Sequence, residues 1–534
     1  MSATQTALQS EDILHEIFKC LRAPLEYSER HRCVSGPDVR YRRTLRAAAL
    51  TCRAFSQPAL KVLWTHVSSI DALFCILSSS MKIVSDVEVP NKGKTPQRAP
   101  RHQETVWILD GPVTDSERER LIWYAQFIQT ISLRTSRRVD PWVFLRLSHS
   151  NLSTPLAPRL HTIYCMHDWP YADMAVSLLS GTALRTLVLA FGGPDRTIAD
   201  DRKLPLNRHN YAPGPLLRDV AAAAPGLEKL VVGMCAYAGL LHPIGGMKSL
   251  RELDLSGMWV AIDMALLQAL AGLERLEDLA LPNTFDGQDV ALCRGFKNVR
   301  KLTVRGGIRT IPPLLAALPD LCLKELRLSS LIIEGVTPIY SLVSSLSPGS
   351  HSSLETVCID DLSTPRSTAA APVLTLIAPF LALPNIRSFN LVAADPLCIT
   401  DEDLCTIGGA WPKLARLSLS GDATYEREPV APTLHGIIQL TNMCPELHDV
   451  YFSLVALAFG PENSVAPCRS EDVPELALDI QVPDNKIRDA HHVARVLWSI
   501  FPRLSIINLD RTRFKKWAAV LEEVVSLRNK QQDD

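Results

Sequence analysis

Three short stretches carry residue types that could do chemistry. "NKGKT" from Asn91 ends in Gly-Lys-Thr, the close of a loop whose backbone N–H groups and lysine cradle nucleotide phosphates. That loop needs a first glycine where this chain has Glu88, and a carboxylate there repels phosphate, so nucleotide chemistry is set aside. "HTIYCMHDW" offers His161, Cys165, His167 and Asp168 as metal-ligand types. Ile163 and Cys165 are two apart and share one face of a strand, so Cys165 is expected as a small core residue, and the spacing is not that of a zinc site. "DAHHVARVLW" around His491 has the pattern of an amphipathic helix with surface histidines. Serine elbows, zinc-protease helices and dinucleotide fingerprints are absent, so no catalytic residue, metal ligand or cofactor is assigned.

The elements that would hold any site come next. A chain of 534 residues with 47% hydrophobic and 21% charged composition can bury a large core. A formal net charge of -1 gives no global field to gather nucleic acid or an anionic membrane, so neither is expected as a partner. The 13 cysteines are odd in number and include no CxxC pair, and "MSATQTALQSED" lacks the basic start and apolar core of a signal peptide. A reducing setting, cytoplasmic or nuclear, is the expectation, with the sequon at Asn151 idle. "PVLTLIAPFLALP" from Pro372 is too short and too broken by proline to span a bilayer.

One phrase organises most of the chain. An L-x-x-L-x-L pattern, with any aliphatic residue or Phe allowed, starts at Ile128, Leu160, Leu184, Leu227, Leu250, Leu276, Val299, Leu323, Leu354, Ile386, Leu414, Leu447 and Leu504. The central steps are 23 (227 to 250), 26 (250 to 276), 23 (276 to 299) and 24 (299 to 323), the period of leucine-rich repeats. Each phrase predicts a short strand whose last two apolar residues point inward while the residue between them points out. Helical stretches such as "AIDMALLQALAGL" from Ala261 and "PPLLAALPD" from Pro312 lie between. Strand and helix in alternation predict an α/β repeat, an irregular solenoid curved as a horseshoe with a parallel sheet on its concave side. Pro225, Pro384, Pro412, Pro445 and Pro502 sit two residues before a first leucine, where proline stops the helix and sets an extended approach to the strand.

The array is uneven. A consensus Asn or Cys eight positions on is met by Cys235 but not by Met258, Thr284 or Gly307. Steps of 43 (184 to 227) and 57 (447 to 504) imply long insertions, and the loops beginning at Phe191, Ser347, Ser420 and Gly460 are rich in turn formers and charge. Outward positions alternate in sign: Glu228-Lys229, Arg251-Glu252-Asp254, Glu277-Asp278, Arg300-Lys301 and Lys324-Glu325-Arg327. Stacked strands would turn these into cross-strand ladders, either a solvated face or a mixed-charge wall for a protein substrate, with Arg251, Asp254, Arg300, Lys301 and Arg327 as candidate contacts. A phosphorylated partner would want clustered exposed arginines, for which Arg300, Lys301 and Arg305 are a weak candidate.

The N-terminus follows a different rule. "SEDILHEIFKCL" puts Ile13, Leu14, Ile17, Phe18 and Leu21 on one broad helical face, and "RTLRAAALTCRAFS" predicts a second helix with Leu45, Ala48, Ala49 and Cys52 aligned. "QPALKVLW" and "IDALFCIL" follow. The run "DILHEIFKCL", "LRAAALTCRAF", "PALKVLW" over residues 8–66 resembles the F-box, a three-helix module, with Ile17, Phe18, Cys52, Arg53 and Trp64 in place. "TDSERERLIWYAQFIQTISL" from Thr114 and "PLAPRLHTIYC" are similar to F-box proteins of mushroom-forming fungi, in which degenerate leucine-rich repeats follow. Gln9-Ser10 stands for the family's Leu-Pro, Asp12 for its Glu, and the basic insertion "SERHRCVSGPDVRYRR" separates the first two helices.

The resemblance implies a substrate-recognition adaptor of a Skp–cullin–F-box ubiquitin ligase. Residues 1–80 would hold the F-box and adjoining helices, 81–103 a linker or mobile loop, and 104–534 the repeats. A Skp-type adaptor, and through it a cullin scaffold, would be met by Ile13, Leu14, Ile17, Phe18, Leu21, Leu45, Leu50 and Cys52. A repeat scaffold that binds a protein with no link to ubiquitin is the other reading the residues allow.

Overall fold

The computed structural model describes residues 10–21, 26–28, 33–35, 39–85, 105–134, 138–149, 155–165, 172–190, 213–233, 238–258, 261–282, 295–305, 311–316, 323–329, 342–346, 348–362, 371–395, 397–421, 430, 432–452, 477–480, 489–500, 505–506 and 515–533. The chain divides into two units, Met1–Leu276 and Glu277–Asp534.

The first unit begins with three helices, Glu11–Lys19, Val39–Thr51 and Arg53–Thr65. Glu11 and Asp12 in the first turn and Lys19 in the last complement the helix dipole of the first helix. The single helix expected across Cys52 is two: Thr51 turns its hydroxyl onto the carbonyl of Ala47, and Cys52 is extended at φ -157 before the third helix starts. Leu14, Phe18, Leu45, Ala59 and Val62 form the core, with Leu21, Ala48, Ala49, Phe55 and Leu63 packed against it. Phe18 meets Phe55 edge to face at 5.7 Å between ring centroids. Lys61 on the third helix pairs with Glu11 on the first.

A parallel sheet follows in the same unit, running His66–Val67, Thr130–Ser132, Thr162–Cys165, Thr186–Ala190, Lys229–Gly233 and Glu252–Asp254. Five of these strands begin two residues after a predicted first leucine. The sixth, His66–Val67, pairs with Thr130–Ile131, and Trp64 occupies the place of the aliphatic residue two positions before it. Trp64 stacks on Tyr124 with centroids 4.5 Å apart. Met81–Ser85 is not linker: it pairs antiparallel with Thr105–Leu109, which pairs in turn with Arg138–Val139. The remaining linker positions and "NKGKT" lie outside the described residues.

Helix Asp115–Ala125 is tied down by one carboxylate. Glu117 is fully buried and closes a capping box with Thr114. Its Oε1 accepts from the amides of Ser79 (2.7 Å) and Ser80 (3.2 Å), and its Oε2 from the Ser80 hydroxyl (2.7 Å) and from the Thr114 amide and hydroxyl (3.2 and 3.0 Å). Burial alone pushes the group up, yet these bonds, led by the Ser80 hydroxyl, hold its pKa down at about 2.

Several strands are reached through a tight turn. The N–H of Leu227 donates to Ala224 (3.1 Å), that of Leu414 to Trp411 (3.0 Å) and that of Leu447 to Cys444 (3.0 Å). Pro225, Pro412 and Pro445 occupy the second turn position, so proline does more than stop a helix: its fixed φ sets the turn. Two successive amides then share one carbonyl of the previous strand, as Glu228 and Lys229 do on Arg185 at 2.8 and 2.9 Å, which locks register repeat by repeat.

The predicted helix at Ala261 spans Met264–Ala271, with Leu266, Leu267 and Leu270 buried and Gly272 as its C-cap. Asp263 caps it by accepting from the Leu266 amide at 2.7 Å. Asp263→Ala is expected to cost about 1 kcal/mol, measured as faster hydrogen exchange at the Leu266 amide without change in the neighbouring strands.

The second unit is a parallel array of Asp278–Leu281, Lys301–Arg305, Glu325–Ser329, Thr356–Leu362, Ser388–Ala393, Arg416–Ser420, Asp449–Phe452, Ala477–Ile480 and Ser505–Ile506. Ala477–Ile480 falls inside the step from Leu447 to Leu504, so the strand starts there are 28 (449 to 477) and 28 (477 to 505) residues apart. The phrase is hidden because Glu475 stands where its first leucine belongs. Leucine, valine and phenylalanine at alternate strand positions fill the core, and Trp411, fully buried, lies on Phe389 at 4.8 Å and donates to the Phe380 carbonyl at 3.3 Å. From Thr130 onward the parallel strands of the two units recur at steps of 23 to 43 residues, most of them opened by the same phrase, and each unit is an α/β repeat array with a parallel sheet.

Candidate protein-binding surfaces

Two surfaces have legible chemistry. On the three-helix module, Ile13 is 44% exposed, Ile17 48% and Leu50 78%. Ile13 and Ile17 are four apart and form one outward row of the first helix, while Leu14 and Phe18, also four apart, form the inward row. Leu14, Phe18 and Leu45 lie in the module's own core. Leu21 is half-buried against that core, and Cys52 and Arg53 are exposed.

The second surface is the strand face turned away from the buried leucines. In the first unit its middle positions are Ser132, Tyr164, Val188 and Val231, all buried, and Asp254, half-buried. In the second unit the same positions begin with Ala280, which is buried, and go on with Thr303, Arg327, Cys358, Asn390, Ser418 and Tyr451, which are half-buried and mostly polar. The polar wall anticipated from the phrase is thus developed in Glu277–Asp534.

Cross-strand charge pairs form where the register predicts them. Lys229 meets its register partner Glu252 at 2.8 Å, and Lys301 meets its partner Asp278 at 2.9 Å. Arg327 pairs with Glu325 on its own strand. Burial would depress the Lys301 ammonium and the Arg327 guanidinium, but Asp278 and Glu325 respectively raise both pKa values, so both stay charged. Asn390 donates to Asp360 at 2.9 Å, a contact that the charge pattern alone did not signal.

The remaining candidates separate. Arg251 is exposed before the strand Glu252–Asp254. Asp254 accepts from the amide and hydroxyl of Ser256 at 2.8 and 2.6 Å, so it builds a turn rather than presenting a free carboxylate. Arg300 is exposed ahead of its strand, and its carbonyl accepts from Lys324 and Glu325. Of Arg300, Lys301 and Arg305, Lys301 is paired with Asp278, and Arg300 precedes the strand Lys301–Arg305.

Cys165 is buried, and burial, with the charge of Asp173, pushes its thiol up to about 12. His167 and Asp168 lie outside the described residues, among which no group of three His, Cys, Asp or Glu could hold a metal ion. His491 has a partner that its sequence context did not offer, Glu523 at 3.0 Å on helix Lys515–Asp533. Among the described residues no helix is long and apolar enough to cross a membrane.

No protein-family model matches the chain. No curated protein matches it either. Similar solved structures include the leucine-rich repeat-containing protein LegL7 from Legionella pneumophila, 12% identical over 64% of this chain and 90% of that one at a TM-score of 0.30. A leucine-rich-repeat protein of Leptospira interrogans is 10% identical over 74% of this chain and 93% of that one, also at 0.30.

Proposed function

We propose that the chain is a non-enzymatic adaptor, the substrate-recognition subunit of a Skp–cullin–F-box ubiquitin ligase in the cytoplasm or nucleus. The three-helix module docks a Skp-type adaptor, through it a cullin scaffold, and the repeats hold a protein substrate. The observation that carries this reading is the outward row of Ile13 and Ile17, with Leu50, on a small module whose own core is already filled by Leu14, Phe18, Leu45, Ala59 and Val62. Apolar side chains held out on helices mark a helix-packing interface. The polar strand face of the second unit suits a protein segment chosen by charge and hydrogen bonding.

The test is co-purification of the full chain with a fungal Skp-type adaptor, beside the double variant Ile17→Asp, Leu50→Asp. Both sites are exposed, so the variant is expected to keep its circular dichroism and melting temperature while losing the adaptor. A variant that still co-purifies would place docking elsewhere on the chain.

A further inference from the structure

We propose that Thr303, Arg305 and Ser329, on the polar strand face of the second unit, form a subsite for one anionic side chain of the bound protein. The inference rests on the reading that the repeats hold a protein segment. Leu302 and Val304 are buried while Lys301, Thr303 and Arg305 alternate outward, so Thr303 and Arg305 share the open face. The register sets Arg305 directly beside Ser329, and Thr303 beside Arg327. Neighbouring strands lie about 4.8 Å apart and alternate residues about 7 Å, which puts the three side chains within reach of one carboxylate or phosphate group.

What distinguishes this spot is the state of its donors. Lys301 is held by Asp278, Arg327 by Glu325, and Asp360 by Asn390. Thr303, Arg305 and Ser329 have no hydrogen-bond or ion-pair partner among the described residues. One guanidinium and two hydroxyls thus stand beside neighbours, Lys301, Arg327 and Asp360, that already have partners, and a guanidinium takes two anionic oxygens in fork geometry. Asp360, opposite Ser329 on the next strand, bounds the site with negative charge and selects against a second anion there.

Carboxylate and phosphate ester present the same anionic oxygens, and the experiment separates them. Fluorescein-labelled nonapeptide pools, random except for a central Glu, phosphoserine or Gln, are titrated by anisotropy against the full chain, Arg305→Gln and Thr303→Val with Ser329→Ala. The wild type is expected to bind one or both anionic pools more tightly than the Gln pool. Arg305→Gln should weaken that binding by about tenfold and the hydroxyl variant by a smaller factor. The pool that binds more tightly identifies the source of the anion. Equal binding of the Gln pool, or anionic binding unchanged in Arg305→Gln, overturns the subsite while leaving the repeats as a protein-binding surface. Failure of every pool overturns it too, and docking of the adaptor is measured separately.

Discussion

Glu117→Gln is expected to destabilise the first unit by roughly 3 kcal/mol at neutral pH. The carboxylate accepts from five donors, shared between its two oxygens. An amide keeps one oxygen: set toward Ser79 and Ser80, its NH2 opposes the Thr114 amide, and flipped, it opposes the Ser79 and Ser80 amides. Either orientation leaves a buried N–H facing another donor. The pH dependence has a definite sign. The folded carboxyl titrates at about 2 against an ordinary 4.5, so its contribution is fully present above 4.5 and is lost as pH falls toward 2. Acid titration followed by tryptophan fluorescence should show the wild type losing stability over that window, with the loss reduced in Glu117→Gln.

Phe18→Ala is expected to cost about 3–5 kcal/mol, because a fully packed ring leaves a cavity that two fixed helices cannot close. The loss should be local. Hydrogen exchange would rise throughout helices Glu11–Lys19 and Arg53–Thr65, which share Phe18 and its edge contact with Phe55, while strands of the second unit keep their protection. Ile17→Ala, one residue away but exposed, should change stability by less than about 0.5 kcal/mol. Similar exchange in both variants would mean that Phe18 is not core.

That pair also marks how far the sequence could be read. The face Ile13, Leu14, Ile17, Phe18, Leu21 was legible as apolar, but not which of its two rows turns inward, since both have i, i+4 spacing and only the position of the third helix decides. The repeat was legible wherever an aliphatic residue opened the phrase. It was hidden at His66 and Ala477, where Trp64 and Glu475 stand in the first position and strand pairing, not side-chain pattern, defines the repeat. Of the charged candidates, Lys301 and Arg327 fell on the polar face, whereas Asp254 was drawn into a turn by Ser256, a serine two positions on that the ladder pattern does not weigh. Thr303, Asn390 and Ser329 were missed because uncharged outward residues leave no mark in a charge pattern.

The most direct test of the adaptor reading is a calorimetric titration of the full chain with a purified fungal Skp-type adaptor. A 1:1 complex with a Kd near or below about 1 µM, weakened at least tenfold by Ile17→Asp without loss of fold, is the result expected of a docking module built around the exposed row. A folded wild type that releases no heat and forms no complex at adaptor concentrations of tens of micromolar would contradict it.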